Sequence, residues 1–337
     1  MKRSTKLLLL TLLLLTALGC APPGGGPPPN GGPPPQNGAG QPPQGNQNRP
    51  QPQNNQPPPA QAPSNQPEQP AQQPAAAAQQ TSGSSAATVA DTAASITANL
   101  NGCAAEHFIA VQPHPNNSAY PDPQLNVSCN GTEVTIQTNN IPNFEFVPLT
   151  PNNLAAQNFT FTIPQNPTKA TRFTDVPLGG PSAVAVNGLV IFGPTEAPND
   201  GYRDPYLDNI LDYCNGHTAP GGIYHFHARP DCIYTNIDGN VGLVLGYAFD
   251  GYPILAPYIC ADANCTSVKE VQSSWQLTNP EVNNAWEKHS YIEGLSELDQ
   301  CNGMEFADGS YAYFATDSFP YFMGCYRGVV NQRNIRP

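Results

Sequence analysis

Leu211-Asp212-Tyr-Cys214-Asn215-Gly216-His217, followed by Gly222-Ile-Tyr224-His225-Phe226-His227, is the phrase on which the reading of this chain turns. It occurs a second time as Leu298-Asp299-Gln-Cys301-Asn302-Gly303-Met304, followed by Gly309-Ser-Tyr311-Ala312-Tyr313-Phe314. The Cys-Asn-Gly and Gly-x-Tyr elements keep the same separation in both copies, whereas every histidine of the first is replaced in the second. Leu, Asp, Cys, Asn, Gly and Tyr therefore read as what the fold requires. His217, His225 and His227 read as dispensable to the fold, and so as the first candidates for chemistry.

The repetition extends upstream. Ala185-Val-Asn187-Gly188-Leu-Val-Ile191-Phe-Gly-Pro194 aligns without a gap on Ala248-Phe-Asp250-Gly251-Tyr-Pro-Ile254-Leu-Ala-Pro257. Asn-Gly and Asp-Gly between β-formers predict hairpins, through the type I′ turn whose two central residues need positive φ. After the first hairpin, Asp204 suits an N-cap and Pro205 the first helical position. Leu207, Ile210, Leu211 and Cys214 recur at helical spacing, which predicts a short amphipathic helix ended by Asn215-Gly216. Leu295, Leu298 and Cys301 offer a weaker second version. The stretch around Tyr224 reads as a strand. Thr132-Glu-Val-Thr-Ile136 and Asn158-Phe-Thr-Phe-Thr-Ile163 alternate as half-buried strands do. The expected fold is mainly β (β-rich α+β) with short helices, built on a duplicated hairpin, helix and strand unit at about 181–232 and 243–328, and braced by disulfides.

The start of the chain belongs to another regime. MKRSTKLLLLTLLLLTALGC has a basic start, a short apolar run and a small residue before Cys20, as an exported protein's signal peptide does. Ala17-Leu-Gly-Cys20 resembles the lipobox of bacterial lipoproteins, with Ala17 where Leu is usual. That implies cleavage before Cys20 and acylation of its thiol; an uncleaved single-span anchor is the alternative. Residues 21–84 are dominated by Pro, Gln, Asn, Gly and Ala, which cannot bury enough surface to offset chain entropy, and read as a disordered tether. The domain is expected over 85–337. The expected location is extracytoplasmic, lipid-anchored through Cys20 to a bacterial membrane.

Of nine cysteines, eight remain besides Cys20, an even set that in an exported chain reads as disulfides. Cys214 and Cys232 bracket the first motif as Cys301 and Cys325 bracket the second, so each pair is joined locally. Cys103 with Cys129 and Cys260 with Cys265 follow as the simplest remainder. A zinc site built from thiols is the rival reading, disfavoured by the lack of any Cys-x-x-Cys. The formal net charge is −12 and only 11% of residues are charged. No basic stripe is present, which argues against a nucleic-acid partner.

On a strand, residues 225 and 227 point to one face with Cα atoms roughly 6.6 Å apart. Two imidazoles so placed can converge on one metal ion, and His217 needs only a short returning loop to become a third ligand. Three histidines with an open position suit zinc or copper. Structural hydrogen bonding and metal-free acid/base chemistry are the alternatives. Asp250 is a carboxylate ligand, a partner orienting an imidazole, or a plain turn residue; Asn187 in its place in the other copy favours the turn. Arg229 faces Thr316 in the second copy and reads as a surface arginine, with anion binding the alternative. His107, His114 and His289 carry no argument. There is no HExxH, nucleophile elbow or paired-carboxylate signature to name a reaction.

Asn187-Gly188, Cys214-Asn-Gly-His217, Tyr224-His-Phe-His227 and Gly246-Tyr-Ala-Phe-Asp250-Gly-Tyr-Pro-Ile254 together resemble the YHYH domain family, named for its Tyr-His-Tyr-His motif. The resemblance covers about residues 120–328. It departs at Phe226, where the family has tyrosine, and at Leu255-Ala256, where Tyr-Gly is usual. It implies an exported, single domain and leaves the mechanism open. A second functional reading is a disulfide-braced binding or adhesion module on a stalk, with structural histidines. Its aromatics between Tyr311 and Tyr326, including Phe319, Tyr321 and Phe322, would be presented to an envelope polymer or protein.

Overall fold

Asn187-Gly188 and Asp250-Gly251 form the tips of two hairpins that pair edge to edge in the computed structural model, which describes residues 102–234 and 236–335. The leader at 1–20, the acylation of Cys20 and the tether at 21–84 lie outside the described residues, as does the start of the expected domain up to residue 101.

The strands in chain order are β1 (Leu125–Cys129), β2 (Glu133–Thr138), β3 (Phe159–Pro164), β4 (Lys169–Asp175), β5 (Pro181–Ala185) and β6 (Val190–Phe192). Then follow β7 (Gly216–Ala219), β8 (Ile223–Phe226), β9 (Val244–Ala248), β10 (Pro253–Leu255), β11 (Tyr258–Cys260) and β12 (Val268–Glu270). The last are β13 (Trp275–Leu277), β14 (His289–Tyr291), β15 (Gly303–Glu305), β16 (Tyr311–Phe314) and β17 (Cys325–Gly328). Helix is confined to one four-residue α-turn, Ala285–Lys288, and short 3₁₀ turns among the described residues. The fold is mainly β, as the sequence led us to expect.

Eight strands form the central sheet in the order β15-β16-β10-β9-β5-β6-β8-β7. Read outward from its middle, this order is the same list twice. The hairpin β5-β6 continues through a parallel pairing to β8 and then β7, and the hairpin β9-β10 continues through a parallel pairing to β16 and then β15. The registers also match. Ile191 pairs with Phe226 as Ile254 pairs with Tyr313, and His217 pairs with His225 as Met304 pairs with Ala312. Val184 and Tyr247, each three residues before its turn residue, face one another across the β5/β9 seam. A local twofold axis therefore passes through that pair. The duplicated sequence is a duplicated half-sheet.

Both hairpin tips differ from the type I′ expectation. Ala185 N–H donates to Leu189 C=O and Gly188 N–H to Ala185 C=O, and Ala248/Tyr252 and Gly251/Ala248 repeat the pattern. Only the glycines are left-handed, Gly188 at φ 83° and Gly251 at φ 91°. This is the three-residue loop with a glycine bulge. The side chain before the glycine decides it, since Asn187 Oδ1 accepts from Leu189 N–H and Asp250 Oδ1 from Tyr252 N–H.

The expected helix over Asp204–Cys214 does not form. Asp204 does cap a turn, accepting from the N–H groups of Tyr206 and Leu207 at 3.0 Å. Asn209 then turns left-handed (φ 55°) and ends it. Leu207, which the helical spacing assigned to a buried stripe, is exposed. The second version before Cys301 is likewise turn and bend.

The three-stranded sheet β1-β2-β3 covers part of the core, with Phe161 stacked on Phe249 at 4.8 Å between centroids. Its link to the central sheet is Asn140, fully buried, which donates to Tyr224 C=O at 2.7 Å and accepts from Val190 N–H at 3.0 Å. The four local disulfides are present: Cys103–Cys129, Cys214–Cys232, Cys260–Cys265 and Cys301–Cys325. The aromatics proposed for display are instead core. Phe319 and Tyr321 are each 1% exposed and Phe322 2%; Phe319 packs against Trp275, Trp286 and His289, and the Tyr321 hydroxyl donates to Asp204. Arg229 is also buried, its guanidinium held by Asp231, Asp317 and the Ala315 carbonyl, and so is not a surface arginine.

Asp250 belongs to the core of the second unit. Its Oδ2 accepts from Tyr313 Oη at 2.6 Å and Gly328 N–H at 2.8 Å. Burial nevertheless dominates these donors and pushes its carboxyl up to about 6. A carboxyl titrating higher in the fold than in the unfolded chain supplies stability that is complete below the unfolded value of 3.8 and is lost as pH rises through about 6. Asp250→Asn removes this dependence while keeping the residue type that Asn187 shows the turn accepts. The melting temperature of the wild type should therefore fall relative to that of the variant between pH 4 and pH 7, read by circular dichroism. A difference independent of pH contradicts the assignment.

Candidate metal centre

The position of the histidines follows from a clamp built by the conserved skeleton of the two copies. Asp212 Oδ1 accepts from Cys214 N–H at 2.8 Å and Gly216 N–H at 3.1 Å, while Oδ2 accepts from Tyr224 Oη at 2.8 Å. Asn215 is left-handed (φ 59°), which turns its carbonyl onto His227 N–H at 3.0 Å, and its Nδ2 donates to Arg229 C=O. Gly216 carries no side chain because the Tyr224 ring covers the place where a Cβ would stand. One carboxylate and one amide thus fix the turn before β7 against β8 and the residues after it. Asp299, Asn302 (φ 64°), Gly303 and Tyr311 repeat the carboxylate, backbone and glycine contacts in the second unit, where the Asn302 side chain donates instead to Phe314 C=O and Thr316 Oγ1.

In the first unit the clamp brings three imidazoles together. His217 and His225 face each other across β7 and β8, and His227 follows two residues on. His225 Nε2 lies 2.8 Å from His227 Nε2, which lies 3.2 Å from His217 Nε2. All three residues are buried, at 6%, 2% and 1% exposure. Tyr224 and Phe226 point to the other face and are wholly buried beneath it. Phe192 stacks on His225 at 3.9 Å between centroids and fixes that ring.

Each Nδ1 faces a backbone carbonyl: His217 that of Ile210 at 3.2 Å, His225 that of Ile223 at 3.1 Å, His227 that of Gly193 at 2.8 Å. A carbonyl only accepts, so each Nδ1 carries the proton and, in the neutral ring, each Nε2 presents a bare lone pair. Two lone pairs 2.8 Å apart repel unless a positive charge sits between them. An extra proton is disfavoured. Burial, then the neighbouring His227 and His217, holds His225 well below the ordinary imidazole value, and burial, then His217, lowers His227 to about 4. A cation held between the three nitrogens would satisfy the cluster. For Zn–N distances of about 2.0–2.1 Å, tetrahedral donors stand roughly 3.3 Å apart, against 2.8 Å and 3.2 Å for the two neighbouring pairs and all three ligand atoms within 4.8 Å of one another. The Nδ1–carbonyl contacts are the outer-shell pattern that orients metal-binding histidines.

A residue that sequence reasoning missed joins them. Glu196, in the loop after β6, places Oε1 3.1 Å from His217 Nε2 and 3.8 Å from His227 Nε2. Oε1 is buried yet lies outside hydrogen-bonding geometry with any donor. Burial alone would raise this carboxyl; the contact with His217, then the charges of His227, His217 and Arg203, bring it below its ordinary value. The signal was available. Continuing the gap-free alignment two residues past Pro194 and Pro257 sets Glu196 opposite Ile259, so it too is peculiar to the first copy. Asp250 stands instead with Tyr313, Gly328 and Tyr252.

The cluster forms the floor of a cleft of about 670 Å³, with Phe192, Ile210 and Leu149 among its apolar walls and Asn152, Thr195 and Asn199 among its polar ones. In the second unit Met304, Ala312 and Phe314 take the histidine positions and Phe314 is fully buried. The same backbone there needs no imidazole. The triple variant His217→Met/His225→Ala/His227→Phe, which writes the second copy into the first, should fold and, in the presence of chelator, unfold within about 2 kcal/mol of wild type by chemical denaturation. A variant that fails to fold would show that the histidines hold the sheet.

No curated protein and no solved structure matches the chain. A family model described as YHYH protein matches residues 160–328, half of the chain, a span that holds both hairpins, both clamps and the three histidines. The chain belongs to the YHYH protein family.

Proposed function

We propose that this chain is an extracytoplasmic lipoprotein, tethered through acylated Cys20, whose domain binds a transition-metal ion, zinc or copper, through Nε2 of His217, His225 and His227. The observation that carries the reading is the set of three Nδ1–carbonyl contacts, which leaves three lone pairs converging in a buried place. Imidazole nitrogen suits both ions. An ion so held supplies Lewis acidity at the floor of a cleft. The surrounding residues supply an apolar wall at Phe192 and fixed ring orientations, so that little reorganisation accompanies binding.

The leader and the Pro-rich segment support the location, and the four disulfides agree with an oxidising compartment. Disulfides at both clamps lower the entropy of the unfolded chain and tie each clamp to the segment that follows it.

Elemental analysis of the purified protein, with competition titrations of Zn²⁺ and Cu²⁺ against a chromophoric chelator, tests the proposal. About one ion per chain is expected, with affinity reduced more than about 100-fold in His225→Ala/His227→Ala, since loss of even an outer-shell partner costs 10–100-fold. Equal, weak binding by both proteins removes the proposal.

A further inference from the structure

Resting on the metal-binding reading, we infer that Glu196 is a ligand: its Oε1 supplies a fourth donor beside the three imidazoles, making an N₃O site for a divalent ion. The geometry is the first support. Oε1 lies 3.1 Å from His217 Nε2 and 3.8 Å from His227 Nε2, those two nitrogens lie 3.2 Å apart, and His227 Nε2 lies 2.8 Å from His225 Nε2, so these four separations bracket the roughly 3.3 Å edge of a tetrahedral centre. A carboxylate oxygen accepting a hydrogen bond from His217 would explain one contact. It would leave unexplained why the atom is buried and outside hydrogen-bonding geometry, a state that usually costs about 1–3 kcal/mol. It would also need a second proton on His217, whose Nδ1 already faces the Ile210 carbonyl.

The second support comes from the duplicated half-sheet. The backbone and the clamp are kept in the second unit, yet the three imidazoles are replaced there by Met304, Ala312 and Phe314, and the gap-free extension of the hairpin alignment puts Ile259, in β11, opposite Glu196. A carboxylate needed only to order its loop would have no reason to disappear with the imidazoles.

An anionic oxygen donor changes which ion fits. Three neutral imidazoles suit a cuprous ion as well as zinc, but a carboxylate is a hard donor that favours Zn²⁺ or another divalent ion over Cu⁺. It also neutralises half of a divalent charge in a place where uncompensated charge is costly.

Glu196→Gln in the full chain tests the assignment, with Zn²⁺ and Cu⁺ titrations and with Co²⁺ as a spectroscopic probe of coordination. The expected result is Zn²⁺ affinity weakened about 10-fold or more, a changed Co²⁺ visible spectrum, and Cu⁺ affinity within about 3-fold of wild type. Circular dichroism of the metal-free proteins establishes that both are folded, and Glu196→Asp should recover part of the Zn²⁺ affinity. Unchanged Zn²⁺ affinity with an unchanged Co²⁺ spectrum overturns the role of Glu196 while leaving the three-histidine site intact. A Cu⁺ loss as large as the Zn²⁺ loss also overturns it, because it marks a deformed site and not a missing donor. A wild-type chain that binds none of the ions removes both this inference and the reading on which it rests.

Discussion

The interaction on which the rest depends is the carboxylate of Asp212 holding the turn before β7 to the hydroxyl of Tyr224. With its partner Asn215, it fixes the backbone of residues 214–217 against that of 224–229. Short strands of three or four residues cannot specify such a relation by ladder bonds alone. A buried polar clamp can, because any slip strands its donors and acceptors away from water. The same clamp at Asp299 and Tyr311 carries a purely apolar surface. The clamp is therefore the architectural part and the imidazoles are the part that varies.

The pairing of Val184 with Tyr247 turns this into a statement about the whole sheet. Two half-sheets join at their hairpins, and each presents the same platform at an outer pair of strands. On one platform the donors converge; on the other Phe314 and Ala312 fill the space. The change from Phe226 to Tyr313 between the copies follows the same local logic. The Tyr313 hydroxyl donates to Asp250, whereas the first unit has Asn187 in the place of Asp250 and a ring without a hydroxyl.

Much of this was written in the sequence. Asn187-Gly188 and Asp250-Gly251 announced both hairpins, the bracketing cysteines announced their partners, and the alternation of His225 and His227 about Phe226 announced a shared face. The helix over Asp204–Cys214 was misread because helical spacing ignores competing side-chain bonds. Asp204 and Asp212 take backbone N–H groups for themselves, and Asn209 tolerates the left-handed turn that ends the run. The burial of Arg229 and the bridge at Asn140 depend on contacts from distant segments, Asp317 in one case and Tyr224 with Val190 in the other, which no local pattern encodes. Glu196 lies between these cases. Its environment is tertiary, but its absence from the second copy was legible two residues beyond the aligned blocks.

The central claim is that the three Nε2 lone pairs meet around a cation. The most direct measurement is X-ray diffraction from crystals of the protein isolated without added metal, with anomalous data collected on both sides of the zinc and copper absorption edges. The account predicts one strong anomalous peak at about 2 Å from Nε2 of His217, His225 and His227. No peak there, even after soaking with either ion, together with a neutron map showing a proton shared between His225 Nε2 and His227 Nε2, would contradict it.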